Sequence, residues 1–247
     1  MLEPRLGYAI CSEARAGTVF LSRLLASTGR LGRPWEFFHD PKRTRDLLRD
    51  PERRLAALAA AAATPNGVYG LKVFSAHFDA VAAARWAERL PDLRLVHVSR
   101  RDLLGQALSF ARALQTGQYK ASEPVAGEPR YDAALIADCL ARLAYGQARW
   151  ECWFARNGLA PLRLVYEEVA AQPQASVDAV ARHLGVAEPV PIDWAAVELR
   201  VQRDDLSEAW RRRFLAERAD PGYLDAGRLF SRLRRGGAFA RFFLGPR

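Results

Sequence analysis

Four short apolar runs recur along the chain: GYAIC, GVYGLKVF, LRLVHVS and LRLVYE. Between them lie longer stretches whose apolar residues follow a 3.6-residue period, and this alternation is the pattern of βα units on a parallel sheet. The fold class it predicts is α/β. The helix after the first run, from about Thr18 to Thr28, carries Phe20, Leu21, Leu24 and Leu25 on one stripe. PERRLAALAAAAAT is helical by propensity, with Pro51 in its first turn and TPNG closing it. FDAVAAARWAERL, DLLGQALSFARALQT with Asp102 as cap, YDAALIADCLARLAYGQARWECWFARNG and PQASVDAVARHLG with its glycine stop are the further helices. Residues 30–50, rich in Pro, Arg and aromatics, read as an irregular excursion of the kind kept for a lid or binding loop, and ASEPVAGEPR reads as a surface loop. From Val190 onward the chain reads as mostly helical and Arg-rich. No linker-like stretch divides the 247 residues, so one domain, 1–247, is expected, with 222–247 as a basic helical tail.

Lys+Arg 37 against Asp+Glu 28 gives a formal charge of +9, which ordinarily raises nucleic acid or an anionic membrane as partner. Yet only Lys42, Lys72 and Lys120 are lysines; the other basic residues are arginines, accompanied by abundant alanine. That is the bias of a GC-rich genome, so nucleic acid is not expected, while a polyanionic small ligand is compatible with the charge. Cys11, Cys139 and Cys152 form no CxxC pair and the four histidines no HExxH cluster, so neither a disulfide framework nor a metal site is expected. The compartment reads as reducing and cytoplasmic. With no basic n-region leading into an apolar run, and no stretch of ~18 uninterrupted apolar residues, the chain reads as soluble and unexported.

ICSEARAGTVFLSRLLASTG reads as a strand end, a tight turn and a helix start. Such a turn is an anion site by construction, because unpaired N–H groups and the positive end of the helix dipole meet there. Gly17 permits close backbone approach, Arg15 forks onto oxyanions and Thr18 offers a hydroxyl, unless the turn is an ordinary one with a solvated arginine. Neither GxxxxGK[ST] nor GxGxxG is present, which weighs against NTP hydrolysis and dinucleotide chemistry. A second site sits at the end of LRLVHVS, where Arg100 and Arg101 meet a helix carrying Ser109, about two turns or ~10 Å beyond Asp102. Between these sites, GRPWEFFH embeds Glu36 among Trp35, Phe37 and Phe38; desolvation there raises a carboxyl toward a value useful for taking a proton. His39 is the rival base, whereas His77, His97 and His183 read as helix or strand histidines of no special role. Trp35, Phe37 and Phe38 serve equally as a stacking wall for a sugar ring or as core aromatics. Lys72, alone in an apolar strand, is costly if buried; it either reaches a bridging oxygen of a bound donor or snorkels to water.

Together, SEARAGTVFLSRLLASTG, GRPWEFF, TPNGVYGLK, LVHVSRRDLLGQALSFARALQT, LVYEEVAAQP…VARHLGV and QRDDLSEAW resemble the PAPS-dependent sulfotransferases, in particular the bacterial trehalose-sulfotransferase-like family, also met in lipopolysaccharide sulfation. The resemblance implies a P-loop-like, three-layer fold, the donor 3′-phosphoadenosine-5′-phosphosulfate with adenosine 3′,5′-bisphosphate as product, no metal, and a homodimer. It carries the phosphosulfate loop onto Arg15, Ala16, Gly17, Thr18 and Val19, the 3′-phosphate pair onto Arg100 and Ser109, and the general base onto Glu36. One extra residue precedes Arg15, and Val19 stands where the family tends to have a second hydroxyl. The Arg100–Ser109 spacing is one residue longer than in the animal cytosolic enzymes; Arg101 restores it, so both arginines stay candidates. The expected reaction is sulfuryl transfer to a hydroxyl of a carbohydrate or glycolipid. A P-loop-type kinase or other nucleotide-binding transferase is the alternative, and the tail RLFSRLRRGGAFARFFLGPR, basic with interleaved phenylalanines, raises peripheral membrane contact against docking on its own domain or a second subunit.

Overall fold

The chain folds around the apolar runs. The structure is a computed structural model describing residues 3–119, 124, 126–197 and 205–222. The runs form parallel strands β1 (Leu6–Ser12), β2 (Val68–Phe74), β3 (Leu93–Ser99) and β4 (Leu162–Val165), side by side in the order β2-β1-β3-β4. β1 is central, with Ile10 level with Lys72 on one side and with Val96 on the other.

Helices cover both faces. On one, α1 (Thr18–Ser27) and α9 (Pro173–Leu184) press Leu21, Leu24, Val177 and Val180 onto Tyr8, Ile10, Val96 and Val98. On the other, α3 (Pro51–Ala62), α4 (Ser75–Val81), α5 (Trp86–Arg89) and α7 (Ala133–Arg156) bring Leu55, Val81, Trp86, Trp150 and Phe154 against Ala9, Leu71, Val73 and Leu95. A third cluster, with Leu108, Phe110, Leu143, Trp210 and Phe214, joins α7 to α6 (Leu103–Thr116) and α10 (Asp205–Arg218). This is the expected three-layer α/β architecture with a parallel sheet.

Three local expectations are corrected. Residues 30–50 are not irregular throughout: α2 occupies Pro41–Arg49, with Asp40 accepting from the Lys42 N–H at 2.8 Å and Pro41 in its first turn. FDAVAAARWAERL is not one helix. It breaks into α4, a 3₁₀ turn over Ala82–Ala84 and α5, pivoting on Arg85 at φ 47°. LRLVYE ends as a strand at Val165, because Tyr166 opens the short helix α8 (Tyr166–Ala171). Beyond Val190 the described chain is irregular, apart from a 3₁₀ turn at Trp194–Ala196, until α10. The tail reading lies outside the described residues from position 223 on, as do 198–204 and part of the ASEPVAGEPR loop.

The chain leaves β1 and β3 on the same edge of the sheet but returns to opposite sides of it, β2 lying beyond β1 and β4 beyond β3. The crevice between the ends of β1 and β3 is therefore the switch point at which open parallel sheets bind ligands.

Candidate active site

The turn from β1 into α1 holds two left-handed residues, Arg15 at φ 65° and Gly17 at φ 77°. Gly17 is the N-cap of α1 and, among the described residues, no side chain caps the helix, which leaves first-turn N–H groups that suit an anion. A Cβ at Gly17 would overlap the Tyr166 ring at the head of α8, so glycine is required here by contact as well as by dihedral. Arg15 donates from Nε to Ser109 Oγ at 2.8 Å and from Nη1 to the Tyr119 carbonyl, while its own carbonyl accepts from Arg100 Nη1 at 3.2 Å. Arg15, Arg100 and Ser109, predicted from separate segments, thus meet at one point above the switch crevice. Ala16 and Thr18 are buried and Val19 is half-buried within the same turn.

The two arginines that the sequence left open part company. Arg100, 14 % exposed, turns into the site with its guanidinium 5.2 Å from the centre of the Tyr166 ring. Arg101, 61 % exposed, turns outward to Glu168. Asp102 caps α6 through the Gly105 N–H at 2.9 Å and pairs with Arg211 of α10 at 2.6 Å; Arg100 lies 3.8 Å away. Burial pushes the Asp102 carboxyl up, but the Arg211 hydrogen bond and the neighbouring N–H and charges bring it below the usual value.

Glu36 sits at the edge of the sheet beyond β2. Trp35 bridges Leu71 in parallel and its carbonyl accepts the Lys72 N–H at 2.9 Å, which brings Glu36 level with Lys72. Lys72 Nζ lies 2.6 Å from Glu36 Oε1, and the two side chains are 2 % and 23 % exposed. This corrects the expectation of a raised carboxyl. Burial does push Glu36 up, but the charge and hydrogen bond of Lys72, helped by His77 and His39, outweigh it and hold the group below the ordinary carboxylate value. Lys72 neither snorkels nor lies idle. The aromatic trio divides: Trp35 is 48 % exposed, whereas Phe38 is buried against Trp86 and Phe37 packs on the same cluster.

Two residues passed over by sequence reasoning belong here. His77 in α4 lies beside His39, ring centres 5.6 Å apart with the rings tilted at 59°, and its buried Nδ1 has no hydrogen-bond partner among the described residues. Burial lowers its pKa, with Glu36 acting in the opposite direction. Its place just past the end of β2, on the ligand-binding edge, was the available signal. Glu13, beneath the anion turn, accepts from the Ser75 N–H of α4 at 3.3 Å, and Gly146 of α7 makes room for its carboxyl. Burial raises the Glu13 pKa against the opposing hydrogen bonds of Ser75 and Trp150 and the charge of Arg142. Among the described residues, no group of three or more His, Cys, Asp and Glu is arranged to hold a metal, and no helix is long and apolar enough to cross a membrane.

The chain is similar to the trehalose 2-sulfotransferase of Mycobacterium tuberculosis, with 28 % identity over 85 % of this chain and 94 % of the relative. It is also similar to the trehalose 2-sulfotransferase of Mycolicibacterium smegmatis, with 25 % identity over 84 % and 93 %. Among solved structures, the chain is similar to the sulfotransferase domain of the Synechococcus PCC 7002 olefin synthase, TM-score 0.43 and 16 % identity over 97 % of this chain and 96 % of that one, and to retinol dehydratase in complex with androsterone and inactive cofactor PAP, TM-score 0.43 and 15 % over 90 % and 84 %. The Stf0 sulphotransferase family model matches residues 7–217, a span that contains the turn into α1 and the Glu36–Lys72 pair, and the chain belongs to that family.

Proposed function

We propose that residues 1–247 act as one sulfotransferase domain that moves a sulfuryl group from 3′-phosphoadenosine-5′-phosphosulfate to a hydroxyl of a carbohydrate or glycolipid. The observation that carries the reading is the convergence of Arg15, Arg100 and Ser109 on the uncapped start of α1. A doubly phosphorylated nucleoside fits that chemistry: N–H groups and Arg15 toward the phosphosulfate, Arg100 rather than Arg101 with Ser109 toward the 3′-phosphate. The donor supplies an activated S–O bond.

Glu36, ionised, takes the hydroxyl proton as the acceptor oxygen bonds to sulfur. The S–O bond to the 5′-phosphate breaks and its electron pair leaves with that phosphate. Arg15 and the turn N–H groups stabilise the charge that builds there. This is catalysis by positioning and electrostatics. Glu36 is preferred to His39 as base because the resemblance to the sulfotransferase family carries that role onto it.

The relatives named for trehalose 2-sulfation make trehalose the first acceptor to try. Calorimetry with adenosine 3′,5′-bisphosphate in the absence of metal tests the donor site, and labelled-sulfate transfer over trehalose, other glycans, glycolipids and small alcohols tests the acceptor. No heat with the bisphosphate sinks the reading. The same proposal includes a homodimer in the cytoplasm, with residues 222–247 docking on the protein's own domain or a second subunit, or else touching a membrane surface; light scattering and cell fractionation test the first two, and liposome flotation with and without the tail separates the last two.

A further inference from the structure

Reading Glu36 as the base leaves one charge without a role. Lys72 carries its ammonium into a site 2 % exposed to solvent, which is expensive unless a partner offsets the lost hydration. The partner is Glu36, at 2.6 Å. Main-chain pairing brings them level, since Trp35 bridges Leu71 and accepts the Lys72 N–H, so the carboxylate is registered on the ammonium by the edge of the sheet. The Lys72 ammonium also lies 5.8 Å from the centre of the Phe74 ring, a second contact that favours a fixed cation.

Resting on the assignment of Glu36 as base, we propose that Lys72 is its positioning residue: the buried ammonium holds the Glu36 carboxylate in one orientation and supplies its counter-charge, without binding the donor. Among the described residues three groups face the carboxylate: Lys72 from β2, His39 from Glu36's own loop and His77 from α4. Lys72 is the one that combines charge with a hydrogen bond. When the acceptor O–H bond breaks and its proton passes to Glu36, Lys72 keeps its own proton and its charge. The pair is then an ammonium beside a neutral acid, and loss of that proton to solvent restores it.

The test is the titration of the Glu36 carboxyl by isotope-edited NMR, assigned by its disappearance in Glu36→Gln, in the full chain and in Lys72→Met and Lys72→Arg. Calorimetry with adenosine 3′,5′-bisphosphate accompanies it. In Lys72→Met, burial acts on the carboxyl without the ammonium, so its titration moves up by about a unit or more, roughly tenfold in proton affinity; Lys72→Arg restores it. Bisphosphate affinity stays within about twofold in both variants. A Glu36 titration that does not move in Lys72→Met, or a tenfold loss of bisphosphate affinity, overturns the assignment. If Lys72→Met does not fold, Lys72→Gln gives the titration, and the double variant Lys72→Met with Glu36→Gln, which strands no buried charge, gives the affinity. Failure of the unmodified protein to bind the bisphosphate, with the titration shift intact, overturns the sulfuryl-transfer reading while supporting the pairing of Lys72 with Glu36.

Discussion

The turn from β1 into α1 and the Glu36 cluster at the outer side of β2 are assembled by different means. Arg15 to Val19 are consecutive, and the shape of their turn follows from two left-handed residues and the start of a helix. Glu36, Lys72 and His77 come from a loop, a strand and a short helix, and their charge state follows from burial set against one another's fields. A site of the first kind depends on backbone geometry. One of the second kind depends on a balance of charges, and changing any member retunes the rest.

If that contrast is right, cluster variants lose turnover and turn variants lose donor binding. The largest effect is expected for Glu36→Gln, which lowers turnover ~10²-fold or more and leaves bisphosphate affinity nearly unchanged; retained turnover would promote His39 to the role of base. Next is Gly17→Ala, which forces a Cβ into the Tyr166 ring at a dihedral that costs about 1–3 kcal/mol for a side-chain-bearing residue. It should weaken bisphosphate binding at least tenfold, to order of magnitude, with a lower melting temperature, and calorimetry and thermal melts read both. Arg100→Ala removes charge-assisted hydrogen bonds of about 1.5–3 kcal/mol, so bisphosphate affinity falls roughly 10- to 100-fold. Arg101→Ala, the smallest of the substitution effects, changes it by less than about twofold, because that arginine spends itself on an exposed pair with Glu168. Reversal of the two arginine results would reassign the clamp.

The pH dependence sharpens the same comparison with a smaller signal. Because Glu36 is held below its ordinary value, the acid limb of kcat/KM lies below the ~4.3 of a free glutamate. The stability contributed by the Glu36–Lys72 pair is present above that unfolded value and is lost as pH falls through the lower folded one. An acid limb above the ordinary value, in a rate profile checked against folding at each pH, would mean that burial outweighs Lys72.

Legibility followed the range of the interactions. The strands were readable because their apolar runs are buried in a sheet with helices on both faces, and α6 because Asp102 caps it within three residues. α2 was missed although Asp40 and Pro41 are a standard start: PKRTRDLLR buries only Leu47, so no apolar stripe marked it. The break at Arg85 was invisible because an alanine-rich segment is helical by propensity, while burial of Trp86 against Phe38 and Phe78 belongs to the tertiary core. In the site, Arg15, Gly17 and Arg100 stood out from strand–turn–helix logic. His77 did not, since a histidine in a helix acquires meaning only from what faces it.

The sequence by itself determined that a strand ends in a glycine-bearing turn that opens a helix, because hydrophobic period, glycine placement and helix starts act over a few residues. Only the tertiary structure decided which arginine enters the site, that Lys72 is spent on Glu36, and that Glu36 is more acidic than its aromatic neighbours imply. Those outcomes depend on distances between segments far apart in the chain, and electrostatic energy in a partly buried site varies steeply with such distances.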